Sequence, residues 1–291
     1  MAKLGFSNSR VFILALDGLE YELVVRWNLR QLMQETFGKY PIPKHYMHET
    51  EEGLTPYTPI IWVSFLTGRH PKEHNVKSMW KYNGVWDKIR RLPIISWVKG
   101  KRRIFKKFGI KPQLINRSHY DFPTIFDIFQ PSKAVNFIGY NAVTEIWEHM
   151  NLMFKKKLEM KKVEQFGWEA YHKICELMFR EMNGEWRLFA VYFPILDLFS
   201  HFYMNKSVKK LLIAYQTFDH LVYKIKERIG DDCLFLILSD HGHEIDNHRL
   251  TGNHSHQAFW SVNVETEWKP KEITDFFYKI SEWLGGERNG A

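Results

Sequence analysis

The chain has 291 residues, 41 Lys and Arg against 33 Asp and Glu, and 45% hydrophobic content, a balance that excludes disordered and fibrous classes. Its two cysteines, Cys175 and Cys233, are too few for a disulfide framework or a Cys-rich zinc site and suit a reducing cytoplasm. A formal net charge of +8 favours anionic partners without separating phosphate esters from nucleic acid or lipid head groups.

In chain order, the first apolar run, Val11 to Leu16, is cut by Asp17 and Gly18. It is far short of the roughly 20 residues that span a bilayer and lacks the layout of a signal peptide. The expectation is a cytoplasmic protein with no transmembrane segment, in which this run is a buried strand. In the stretch Thr55 to Val76, Thr58 is followed by Pro59, an apolar run and Gly68, which is the layout of an N-cap, a first-turn proline and a C-terminal glycine. Thr58 has two compatible readings: it caps a short buried helix, and its hydroxyl stands at the positive end of that helix, where a phosphoryl group would dock.

From Lys88 to Arg117 there are eleven Lys or Arg and no Asp or Glu, mixed with Trp97, Phe105 and Phe108. This segment reads as an insertion or lid, with Lys101, Arg102 and Arg103 at its most basic point, and as a contact for an anionic substrate, nucleic acid or anionic lipid. The plain alternative is a solvated basic surface. Further on, Val135 to Ile138, Leu188 to Phe193 and Leu234 to Leu238 read as buried strands, and Val163 to Met182 and Val208 to Ile229 as helices. No solenoid repeat or low-complexity tract interrupts them. The fold class expected is α/β, a mostly parallel central sheet with helices on both faces.

In such sheets ligands sit beyond the carboxyl ends of the strands. Asp17 follows the first strand, Asp197 comes soon after the third, and Ser239-Asp240-His241-Gly242 closes the fourth. Buried carboxylates are costly without a cation or a hydrogen-bonding partner. Asp197 and His201, four residues apart, share one face if that segment is helical. Downstream, His248, His254 and His256 supply further imidazoles. Carboxylates and imidazoles without thiolates suit two divalent cations, Zn²⁺ first and Mn²⁺ second.

This order of motifs resembles the alkaline phosphatase superfamily, and within it the type I phosphodiesterase/nucleotide pyrophosphatase family. The resemblance rests on Asp17-Gly18, Thr58 ahead of Thr67-Gly68, Pro71 with His74, Asp197 with His201, Ser239-Asp240-His241-Gly242 and Gly252-Asn253-His254. It implies one alkaline-phosphatase-like catalytic domain over residues 1–291, with the basic insertion at about 88–117. It implies Thr58 as the nucleophile, one cation held by Asp17, Thr58, Asp240 and His241, and a second held by Asp197, His201 and His254, with His256 as the rival of His254. Ser200 stands where the family usually has Gly. Met79 aligns where its diesterases place an Asn that contacts the phosphoryl group, so Asn75 and Asn83 are the substitutes in reach.

The activity implied is hydrolysis of a phosphate ester or nucleotide by way of a covalent phosphothreonine. The alternatives are a phosphomonoesterase of the same superfamily and a non-catalytic protein that binds nucleic acid or lipid. A sulfatase would need Cys or Ser at position 58. The oligomeric state is not legible in the sequence.

Overall fold

The structure, a computed structural model, describes residues 10–50, 53–82, 89, 111–155, 159–245 and 252–285. Asn83, Lys101, Arg102, Arg103 and His248 lie outside the described residues, as does nearly all of the basic stretch 88–110.

The apolar runs assemble into a six-stranded sheet in the order Thr36–Pro41, Gln257–Val262, Cys233–Leu238, Arg10–Leu16, Leu188–Phe193 and Ser132–Val135. The strand Arg10–Leu16 pairs in parallel with both Leu188–Phe193 and Cys233–Leu238, and Ser132–Val135 extends the parallel set. Gln257–Val262 alone runs the other way, antiparallel to both of its neighbours. The central strands are continuous apolar runs because both of their faces are covered; every residue from Val11 to Leu16 is fully buried.

Side-chain alternation assigns the cover of each face. On one face Phe12 stacks on Phe189 with centroids 5.0 Å apart and meets Phe235 edge-on at 5.2 Å. Phe193, in register with Leu16 on that face, receives Tyr171 and Phe218 from the helices Met160–Glu181 and Val208–Ile229. On the opposite face Tyr192 packs against Trp62 at 5.4 Å, which belongs to the wholly buried helix Thr58–Thr67. The expected mostly parallel α/β architecture with helices on both faces is therefore present.

One expected strand is displaced. The run Val135 to Ile138 is not the strand; Ser132–Val135 is. Asn136 takes a left-handed φ of 53°, its Nδ2 donates to Tyr192 O and its Oδ1 accepts from Val143 N. That side chain ends the strand by supplying alternative backbone partners, while Phe137 stays buried against Trp62 and Phe65. Among the described residues no helix is long and apolar enough to cross a membrane.

Candidate active site

Three neighbouring parallel strands end side by side, and each delivers acids or imidazoles to the same edge. Asp17 follows Leu16. The chain after Phe193 turns at Pro194 into the helix Ile195–Tyr203, which carries Asp197 in its first turn and His201 one turn on. The two side chains share a face, with His201 Nε2 3.3 Å from Asp197 Oδ1. After Leu238, Ser239 ties two strand ends together: its hydroxyl accepts from Leu19 N at 3.0 Å and donates to His241 O at 2.6 Å, and its carbonyl accepts from Tyr40 OH at 2.5 Å. The Ser of the Ser-Asp-His-Gly run thus holds the loop that aims Asp240 and His241.

His254 arrives from a second small sheet. Gly242–Ile245 pairs antiparallel with Gly252–Ser255, with His243 opposite His254. Glu20 anchors this pair to the first strand end, its Oε2 accepting from His243 N at 2.9 Å and from Ser255 Oγ at 3.0 Å. Gly242 is required here, since a Cβ would lie 2.0 Å from Glu20 Oε2. Gly18, at φ 70°, is required for a different reason: a Cβ would meet His243 Cε1 at 2.6 Å and Asp197 Cα at 2.9 Å.

Two overlapping donor clusters result. Asp17, Asp240 and His241 form one, with His241 Nε2 3.3 Å from Asp17 Oδ1 and 3.4 Å from Asp240 Oδ2. Asp197, His241, His243 and His254 form the other, and His201 Nε2 adjoins it 3.0 Å from His254 Nε2. The Thr58 hydroxyl lies 3.4 Å from His241 Nε2, at the mouth of the first cluster and nearly buried. Thr58 is not the helix cap expected from its sequence. The cap position falls to Tyr57, whose side chain makes no capping bond, and the Thr58 side chain faces the acids instead.

The electrostatics of this centre are those of a candidate cation site. Asp17 Oδ1, Asp197 Oδ1, both oxygens of Asp240 and His243 Nε2 are buried without a hydrogen-bond partner among the described residues, a group of losses that proteins do not leave uncompensated. Tyr192 OH donates to the remaining oxygen of Asp17. Burial, then the neighbouring charges of Asp240 and Asp197, push the Asp17 carboxyl well above its ordinary range. Burial is also the main cause that pushes Asp240 up to about 6, with Asp197 adding to it. Asp197, which burial alone would raise, is instead drawn well below the carboxylate range by His201, His243 and His254. Burial holds His241 well below the usual imidazole range and His243 at about 4, so both rings are neutral and have lone pairs to offer. Unpaired buried carboxylates beside neutral imidazoles are a donor set that could hold a divalent metal ion.

The site residues read from the sequence therefore converge: Asp17, Thr58, Asp197, His201, Asp240, His241 and His254. The rival His256 is exposed, with Nε2 against Leu54 O at 3.1 Å. Asn75 is exposed and takes φ 53° as the C-cap of the short helix Pro71–His74, a backbone task that suits Asn. His243 was not anticipated. Its only sequence signal was its place two residues after His241 on an extended segment, which puts both rings on one side.

His74, part of the motif after Gly68, has a structural task. Val76 N donates to its Nδ1 at 3.1 Å, so its Nε2–H donates to Ser64 Oγ at 2.9 Å. Burial lowers it from 6.5 to about 4. The folded state therefore binds fewer protons than the unfolded one below pH 6.5, and stability should fall as pH drops from about 6.5 to about 4, by about 3 kcal/mol in all. Urea melts of the protein and of His74→Gln across that range check it: the variant should be less stable at pH 7 and show a flatter pH profile.

The model of the type I phosphodiesterase / nucleotide pyrophosphatase family matches residues 11–251. No curated protein matches the chain by sequence. Among solved structures it is similar to murine ectonucleotide pyrophosphatase / phosphodiesterase 5, at TM-score 0.45 and 11% identity over 83% of this chain. It is also similar to an inactive form of that protein in complex with AMP, at TM-score 0.46 and 9% identity over 83% of this chain. The chain spans 59% of the length of each of these. The family match runs from the first strand, through the Thr58 helix and Asp197, to Asp240 and His241, and on that ground the chain belongs to the type I phosphodiesterase/nucleotide pyrophosphatase family.

Proposed function

We propose that this protein is a metal-dependent hydrolase of phosphoric esters, acting on phosphodiesters or nucleotide pyrophosphates with Thr58 as nucleophile. The observation that carries the reading is the Thr58 hydroxyl at the head of a buried helix, 3.4 Å from His241 Nε2, beside carboxylates with buried oxygens that lack partners among the described residues. Asp17, Thr58, Asp240 and His241 would hold one divalent cation and Asp197, His201 and His254 a second. Bound there, the pair lowers the pKa of the hydroxyl and stabilises charge on the transferred phosphoryl group and the leaving oxygen.

The chain's own residues then have defined tasks. Thr58 Oγ1 gives up its proton to water and attacks phosphorus, forming the Thr58 O–P bond as the bond to the leaving alcohol or phosphate breaks. Water next attacks the same phosphorus, the Thr58 O–P bond breaks, and the hydroxyl regains a proton. Tyr192, donating to Asp17, and Ser239, holding the Asp240–His241 loop, keep the acids in place while this happens. Asn75, Asn83 and the basic residues Lys101, Arg102 and Arg103 are proposed to contact the substrate. The protein is read as a single catalytic domain, and its two free cysteines, Cys233 buried, fit a reducing compartment such as the cytoplasm.

The test is hydrolysis of a p-nitrophenyl phosphodiester, a p-nitrophenyl monoester and a dinucleotide by protein dialysed against chelator and then reloaded with Zn²⁺ or Mn²⁺. Activity should vanish on dialysis, return with metal and favour the diester or dinucleotide. Full activity in the metal-free protein, or none on any of the three after reloading, would reject the reading.

A further inference from the structure

We propose that His243 is a direct ligand of the cation assigned to Asp197, His201 and His254, turning that site into a set of one carboxylate and three imidazoles. The inference rests on the reading that this cluster holds cations and adds a ligand to it.

Three imidazole nitrogens surround one carboxylate oxygen at nearly equal distances. Nε2 of His201, His243 and His254 stands 3.3, 3.3 and 3.4 Å from Asp197 Oδ1. Behind each ring, Nδ1 faces a backbone carbonyl: His201 at Gly252 O, 3.0 Å; His243 at Gly18 O, 3.3 Å; His254 at Pro56 O, 3.0 Å. A carbonyl can only accept, so Nδ1 carries the proton in all three and each Nε2 turns a lone pair toward Asp197. This is the arrangement by which second contacts orient imidazole ligands.

The alternative role for His243, a hydrogen bond from Nε2 to Asp197, conflicts with that arrangement. A neutral ring that donates from Nε2 would set the bare lone pair of Nδ1 against the Gly18 carbonyl. In addition, His243 Nε2 and Asp197 Oδ1 both lack a hydrogen-bond partner among the described residues despite their 3.3 Å separation. A cation between them satisfies both atoms at once.

The backbone is built to hold this ring. His243 N donates to Glu20 Oε2, cross-strand register sets His243 beside His254, and the absent Cβ of Gly18 leaves the space that Cε1 occupies. The ring meets His201 edge-on, with centroids 4.8 Å apart at 88°, so neither blocks the other's nitrogen.

The experiment loads the whole protein with Co²⁺ and records proton NMR in water. Each imidazole bound through Nε2 contributes one exchangeable Nδ1–H signal shifted far downfield by the paramagnetic ion. The expected result is four such signals, from His201, His241, His243 and His254, and three in His243→Gln. The same variant should bind its second Co²⁺ more than about 100-fold more weakly, beyond the loss usual for outer contacts. Two bound Co²⁺ with only three shifted signals in the unaltered protein would overturn the inference and leave the cation reading standing. Failure to bind Co²⁺ at all would overturn both. The signal count in the unaltered protein needs no variant to fold.

Discussion

Thr58→Ala should fold, bind its cations and lose several orders of magnitude in kcat, because the proposed covalent route has no other hydroxyl in its place. The geometry sharpens the expectation. Tyr57 holds the cap position and the Thr58 side chain points to His241 rather than to backbone amides, so the stability cost of about 0.5–2 kcal/mol usual for losing a cap should be largely absent. Thr58→Ser should keep part of the activity, since a primary hydroxyl can attack from the same position. Acid quenching during turnover followed by mass spectrometry should find one phosphate on the peptide that contains Thr58. An active Thr58→Ala enzyme would instead assign the attack to water directly.

Asp240→Asn should change stability in opposite directions with and without metal. In the metal-free protein Asp240 is fully buried with neither oxygen hydrogen-bonded among the described residues, and Asp17 and Asp197 repel its charge. Neutralising it removes a buried like charge and should stabilise by on the order of 1 kcal/mol or more. Metal reverses the order. A ligand in thousandfold excess over its Kd adds about 4 kcal/mol to a protein that binds it only when folded, and the variant should forgo much of this at the site it shares with Asp17 and His241. Thermal melts of both proteins in chelator and in Zn²⁺, with metal content measured on the same samples, check it. A variant that is less stable in both conditions, with unchanged metal content, would show that the carboxylate serves packing rather than cation binding.

The central strands and the long helices could be read from local pattern because burial on both faces leaves an unbroken apolar run, and burial on one face leaves a helical stripe. Val11–Leu16, Leu188–Phe193 and Val208–Ile229 lie where that pattern puts them. Asp17, Asp197 and Asp240 were legible for a related reason: a carboxylate at or soon after the end of a buried strand is costly to bury without a cation or a hydrogen-bonding partner. The i, i+4 spacing of Asp197 and His201 needed only the helix.

Long-range pairing settled the rest. Asn136 ended a strand early because its amide bonds to Tyr192, 56 positions away, as well as to Val143. The Thr58 hydroxyl took its direction from His241, 183 positions away, which no capping rule contains. His254 stands in the cluster and His256 outside it because the pairing of Gly242–Ile245 with Gly252–Ser255 sets which ring faces Asp197. His243 entered through the same register and through the missing Cβ of Gly18. Residue type and spacing declare what chemistry a chain can carry, but a ligand shell is closed by side chains from separate strands, and their direction is set by register and by the space that packing leaves.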